Sequence, residues 1–118
     1  MATVGDLARF WRGLFSAGVF GRSETLDTML TTINGLQALP GASARALEPG
    51  AYRMGVWELE VEGLKAYRHT GFWGTSATYV PELDLVVTLT VNQNQCGTVM
   101  DDLTRDAIRV VVDSPRDG

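Results

Sequence analysis

The sequence predicts an α+β fold: two N-terminal helices, then a short antiparallel sheet of about four strands, then one C-terminal helix, with the helices packed on the sheet. Three observations predict it. Apolar residues recur at helical spacing near both ends of the chain. Between residues 52 and 91 they alternate with polar residues or form short β-branched runs. The joints carry Gly, Pro and Asp in turn-forming pairs.

The first helix opens at Thr3-Val-Gly-Asp6, the spacing of a capping box in which hydroxyl and carboxylate each satisfy an orphan N–H. Leu7, Phe10, Trp11, Leu14 and Phe15 then form one apolar stripe, and Gly18 and Gly21 mark its stop. A second helix starts at Ser23, with Glu24 in its first turn and Leu26, Met29, Leu30 and Ile33 on one face; Asn34-Gly35 ends it. Leu36–Ala51, with Pro40-Gly41 and Pro49-Gly50, reads as a loop crossing to the sheet.

Tyr52–Val61 reads as one strand, with Trp57, Leu59 and Val61 on a buried face and Glu58, Glu60 and Glu62 on a solvated one. Glu62-Gly63 is a hairpin turn into Lys65–Thr70. Thr75–Val80 and Leu85–Val91 are further strands joined through Pro81-Glu-Leu-Asp84. The last helix takes Thr98-Val-Met-Asp101 as its capping box and Met100, Leu103, Ala107 and Val111 as its stripe; Asp101 and Asp102 favour its N-terminal dipole. Ser114–Gly118 frays.

A chain of 118 residues suits one domain, 1–118, around one core. Its net charge of −4 and scattered basic residues exclude a phosphate-tracking surface, so no nucleic-acid partner is expected. The single cysteine, Cys96, excludes an intrachain disulfide and a Cys-rich metal site, and reads as a small semi-buried residue entering the last helix. No metal or other cofactor is expected. The longest apolar stretch, Leu85–Val91, is far too short to span a membrane, and Asp6, Arg9 and Arg12 interrupt any signal-peptide core. As it stands the chain reads as cytoplasmic.

The candidate chemistry lies in Lys65-Ala-Tyr-Arg-His-Thr-Gly-Phe-Trp-Gly-Thr75. It holds the only histidine, His69, and a side chain of that type ordinarily titrates near neutral pH. A lone histidine is more often structural than catalytic. Here, however, His69 and Gly71 face the same way on an extended strand, leaving room for a substrate beside the imidazole. Thr70 adds a hydroxyl, and the N–H after the glycine is the kind of donor an oxyanion hole needs.

The run from Arg68 to Gln93 resembles the C-terminal sheet of the beta-lactamase-related serine hydrolases, which include class C beta-lactamases, serine D-alanyl-D-alanine carboxypeptidases and related esterases. His69-Thr70-Gly71 is similar to their third active-site motif. Met1–Trp11 is similar to the helix start that precedes this sheet in the family, and Tyr52-Arg-Met-Gly-Val-Trp57 to the strand before the motif. The likeness covers most of the chain, in order. It implies acyl transfer on an amide, ester or beta-lactam through an acyl-serine. His69 would serve the proton network, Thr70 would hydrogen-bond the substrate's carboxylate or a substitute polar group, and Gly71 would keep the strand edge open. The Phe72 N–H would be one oxyanion donor, and Trp73 would line the mouth of the site.

The family's nucleophile is a serine three residues before an activating lysine. None of Ser16, Ser23, Ser43, Ser76 and Ser114 has that setting, and Lys65 is the only lysine. The tyrosine-x-asparagine motif is absent too: Tyr52, Tyr67 and Tyr79 are followed two on by Met54, His69 and Pro81. The chain therefore matches the C-terminal part of a larger domain, and is expected to be inactive until an N-terminal part completes it with nucleophile and base. That part would be contiguous in a parent enzyme or made separately. The alternative is a non-catalytic binding or oligomerisation module of the same fold, using the Leu7–Phe15 stripe as its partner surface. Glu58, Glu60 and Glu62 make no metal site, since no second ligand cluster accompanies them.

Overall fold

A computed structural model describes residues 3–16, 18–31, 51–71, 74–91 and 97–114, with residues 51, 52, 97 and 98 described by backbone alone. The elements are α1 (Val4–Phe15), α2 (Ser23–Met29), β1 (Ala51–Tyr52), β2 (Trp57–Val61), β3 (Leu64–Thr70), β4 (Thr75–Val80), β5 (Leu85–Thr90) and α3 (Gly97–Asp113). The α+β class holds. The sheet is an antiparallel meander in sequence order, β1 to β5.

Period-2 alternation gives this sheet two faces. Leu59, Val61, Ala66 and Val80 form one cluster with Ile108 of α3. Tyr67 and Ala77 point the other way and join Trp11 and Leu14 of α1, with Met29 of α2 and its neighbour Leu30 packed around them. The helices thus cover opposite faces, α1 and α2 on one and α3 on the other. Thr3 caps α1 in a complete capping box with Asp6. Four of the five stripe residues of α1 (Leu7, Trp11, Leu14 and Phe15) are taken up in this packing, while Phe10 stays half exposed.

Five sequence expectations change. Tyr52–Val61 is not one strand. Arg53 N–H donates to the Val56 carbonyl at 2.7 Å and Gly55 turns the chain at φ +85°, so β1 folds back on β2 with Tyr52 opposite Trp57. The sheet accordingly has a two-residue fifth strand at one edge. Helix α2 ends at Met29 rather than Ile33; Ile33, Asn34-Gly35 and the loop 36–50 lie outside the described residues. Helix α3 begins at Gly97, so Thr98 is inside it and is not its cap.

The buried face of α3 is also rotated from the expected stripe. Met100, Asp101, Thr104 and Ile108 are buried and Leu103 is exposed, because Asp101 is drawn inward to Arg68 instead of staying at the helix end. Finally, the glutamates are not a uniformly solvated row. Glu58 is half-buried between Arg53 and Lys65, Glu62 sits in the turn and pairs with Arg109 at 2.9 Å, and only Glu60 is simply exposed on the strand. The Glu62-Gly63 hairpin is as expected, with φ of 53° and 78°. Cys96 and residues 115–118 lie outside the described residues.

Candidate functional site

Strand β3 runs two residues beyond its last pairing with β2, at Trp57 opposite Arg68, so His69 and Thr70 pair across to β4 only, with Ala77 and Ser76. The turn that follows is closed from both sides. Gly71 N–H donates to the Thr75 carbonyl at 2.7 Å, Gly74 N–H to the Gly71 carbonyl at 3.2 Å, and Val91 N–H to the Gly74 carbonyl at 2.7 Å. Gly74 is buried with φ +91°, a left-handed conformation that a side chain would strain. Gly71 is different: an added Cβ would meet only Thr75, at 3.8 and 3.9 Å, which is ordinary contact. The fold needs the second glycine of this turn and does not need the first.

What Gly71 leaves open is one end of a cleft of about 260 Å³. Strand β3 and the turn supply His69, Thr70 and Gly71; β4 supplies Thr75, Ser76 and Ala77; α1 supplies Leu7 and Trp11; Gly55 closes the side nearest β2. His69 is exposed, and the residue opposite it, Ala77, is small enough to leave space beside the imidazole. Three of the five sequence-derived site residues, His69, Thr70 and Gly71, therefore line the cleft, but strand alternation turns the Thr70 side chain, opposite Ser76, to the α3 face. The other two, Phe72 and Trp73, lie outside the described residues.

Among the described residues the remaining polar parts do not complete a catalytic set. The Ser16 and Ser114 hydroxyls donate to carbonyls of their own helices, at 3.4 and 2.6 Å. Ser23 opens α2, and Ser43 lies outside the described residues. Strand alternation puts the Ser76 side chain on the α3 face, where it is buried. Lys65 is bound to Glu58 at 3.3 Å. Among the described residues no group of three or more His, Cys, Asp or Glu is placed to hold a metal ion, and no helix is long and apolar enough to cross a membrane.

No family model matches the chain, and neither a curated protein nor a solved structure matches it.

Beside the cleft, on the same sheet face, stands a column of charge and aromatic groups. Glu58 bonds Arg53 and Lys65 and accepts from the Tyr67 hydroxyl at 3.5 Å. Burial alone would raise the Glu58 carboxyl, but the hydrogen bonds from Arg53 and Lys65 outweigh it and hold the carboxyl below the usual range. Burial, and then the Glu58 charge, push the Tyr67 hydroxyl up. Tyr79 is raised likewise, by burial and then by Asp84.

Sequence reasoning missed Leu7, Trp11, Gly55, Thr75 and Ala77 as cleft residues. Leu7 and Trp11 carry only the signal of a packing stripe, and their approach to His69 is made across more than fifty positions of chain. Gly55 had a local signal, a glycine interrupting a strand pattern.

Proposed function

We propose that this chain is the C-terminal part of a beta-lactamase-like serine hydrolase, supplying the third-motif wall of an acyl-transfer site whose nucleophile and activating base come from an N-terminal part. One observation carries the reading. His69, Thr70 and Gly71 line an open cleft, and the glycine among them is not required by the fold. A glycine without a backbone reason is accounted for by close approach of something else.

In the completed site His69 would accept and return a proton in the network around the nucleophile. Alone, no serine among the described residues is set to attack. The test is acylation by a fluorescent penicillin and by an activated ester, read by intact mass. The chain alone should remain unlabelled. Mixed with or fused to an N-terminal segment bearing Ser-x-x-Lys and Tyr-x-Asn, it should support label on that segment's serine, and His69→Ala should remove most of it. Label on a serine of this chain, or labelling indifferent to His69, would overturn the reading.

A non-catalytic assembly module is the second reading, and one observation favours it: Val99, Leu103 and Val110 on α3 are all at least about half exposed. Sedimentation as a monomer would count against it.

A further inference from the structure

Resting on that reading, we infer that the cleft takes a neutral ester or amide with a short apolar acyl group, in preference to a substrate that carries a free carboxylate beside the scissile bond. The walls supply the first half of the argument. Leu7 and Trp11 of α1 face the motif residues with Ala77 beneath them, so an acyl chain entering there meets apolar surface. The polar side chains on this face of the sheet are the Thr75 hydroxyl and the His69 imidazole, groups that orient a carbonyl by hydrogen bonds. A volume of about 260 Å³ suits a small group.

The cations supply the second half. Eight ion pairs involve eight different Lys and Arg side chains, which are all of those among the described residues. Arg9 and Arg12, which flank the cleft residue Trp11, are bound to Asp6 and Asp84, and three more stand close in sequence to Gly55 and His69. Arg53, two residues before Gly55, and Lys65, on the same strand face as His69, both bind the half-buried Glu58. Arg68, adjacent to His69, points to the opposite face and is buried on Asp101. Each described cation is already paired with a carboxylate of this chain. A substrate carboxylate would lose water against Leu7, Trp11 and Ala77 with no countercharge from this wall, which disfavours it. A neutral isostere loses nothing comparable.

The matched pair that tests this is N-butyryl-D-alanine methyl ester against N-butyryl-D-alanine, titrated separately into the isotope-labelled chain in the same buffer. Amide shifts of His69, Thr70 and Ala77 and the Trp11 indole N–H shift report the site. The ester should move them with an affinity at least about tenfold better than the acid, a difference of about 1.4 kcal/mol. Gly71→Val, which fills the open end, should abolish the shifts while leaving signals elsewhere in place. If the acid binds at these residues as well as the ester does, the substrate class is wrong and the site reading stands. If neither ligand moves them, the cleft is not a substrate site and both fall.

Discussion

Arg68 of β3 and Asp101 of α3 form an ion pair in the interior, with side chains only 4% and 1% exposed, thirty-three residues apart in the chain. It ties the strand that ends in the motif to the helix behind the sheet. Buried polar atoms surround it: the Ser76, Thr78 and Thr104 hydroxyls have no hydrogen-bond partner among the described residues. Removing one member of such a pair strands the other charge, whereas replacing both with apolar groups does not. Asp101→Ala should therefore lower the unfolding free energy by about 3–5 kcal/mol in urea titrations. The double change Arg68→Met with Asp101→Leu should recover most of that loss. A double variant no more stable than Asp101→Ala would show that the pair is net stabilising.

Phe15 lies between Tyr67 and Tyr79, with ring centroids 5.2 and 4.9 Å away and near-parallel planes, and Trp11 meets its edge at 5.5 Å. Truncating it would remove the contact holding α1 to β3 and β4. For a half-buried phenylalanine, Phe15→Ala should cost about 3 kcal/mol, at the low end for aromatic truncations. Thermal unfolding would measure it. A loss under about 1 kcal/mol would mean that Leu7, Trp11 and Leu14 hold the helix without it.

Two glycines on the cleft should behave in opposite ways. Gly55 has φ +85° with nothing near a would-be Cβ, so Gly55→Ala is strained by backbone alone and should lose about 1 kcal/mol or more. Gly71→Ala meets only ordinary contacts and should change stability by less than about 0.5 kcal/mol. Chemical denaturation of the two variants side by side decides it. Equal losses would mean that Gly71 also serves the fold, which would remove the observation that supports a ligand at the turn.

The Glu58 network predicts the pH dependence. Its carboxyl is held below its unfolded value by Arg53 and Lys65, so the folded state binds the proton less readily than the unfolded chain. The stability this contributes is present above the ordinary carboxylate range and is lost as pH falls through the lowered value. Tyr67 and Tyr79 are raised, so their contribution is present below the ordinary phenol range and is lost as pH rises beyond it. Glu58→Gln should flatten the acid limb of a stability-versus-pH curve and, by removing the charge next to Tyr67, soften the alkaline limb. An unchanged acid limb would show that the network adds nothing to folding.

Much of this architecture was legible locally. The α1 capping box, the Glu62-Gly63 turn and the alternation of Trp57, Leu59 and Val61 each depend on residues within about one turn or one strand of each other. The misjudged elements are those in which a distant partner overrides a local preference. Asp101 looks like a residue for a helix N-terminus until Arg68 arrives from the sheet, and the buried face of α3 shifts to take in Asp101, Thr104 and Ile108 while Leu103 turns outward. Glu58 looks solvated until Arg53 and Lys65 close around it. Tyr52–Val61 looks like one strand because Gly55 is a single residue in a run that otherwise suits a strand.

The candidate site divides along the same line. The sequence by itself determined the fold class, the order of elements and the placing of His69, Thr70 and Gly71 together at the end of a strand, because period-2 geometry and turn chemistry act between near neighbours. Only the tertiary structure decided that Leu7 and Trp11 face them across a cleft. Nor could the sequence tell that Gly71, unlike Gly74, is free of any duty to the backbone, or that every described cation is bound to a carboxylate of this chain. Those facts depend on how a helix docks on a sheet and on which charges meet when it does. Long-range packing sets both, and no local pattern encodes it.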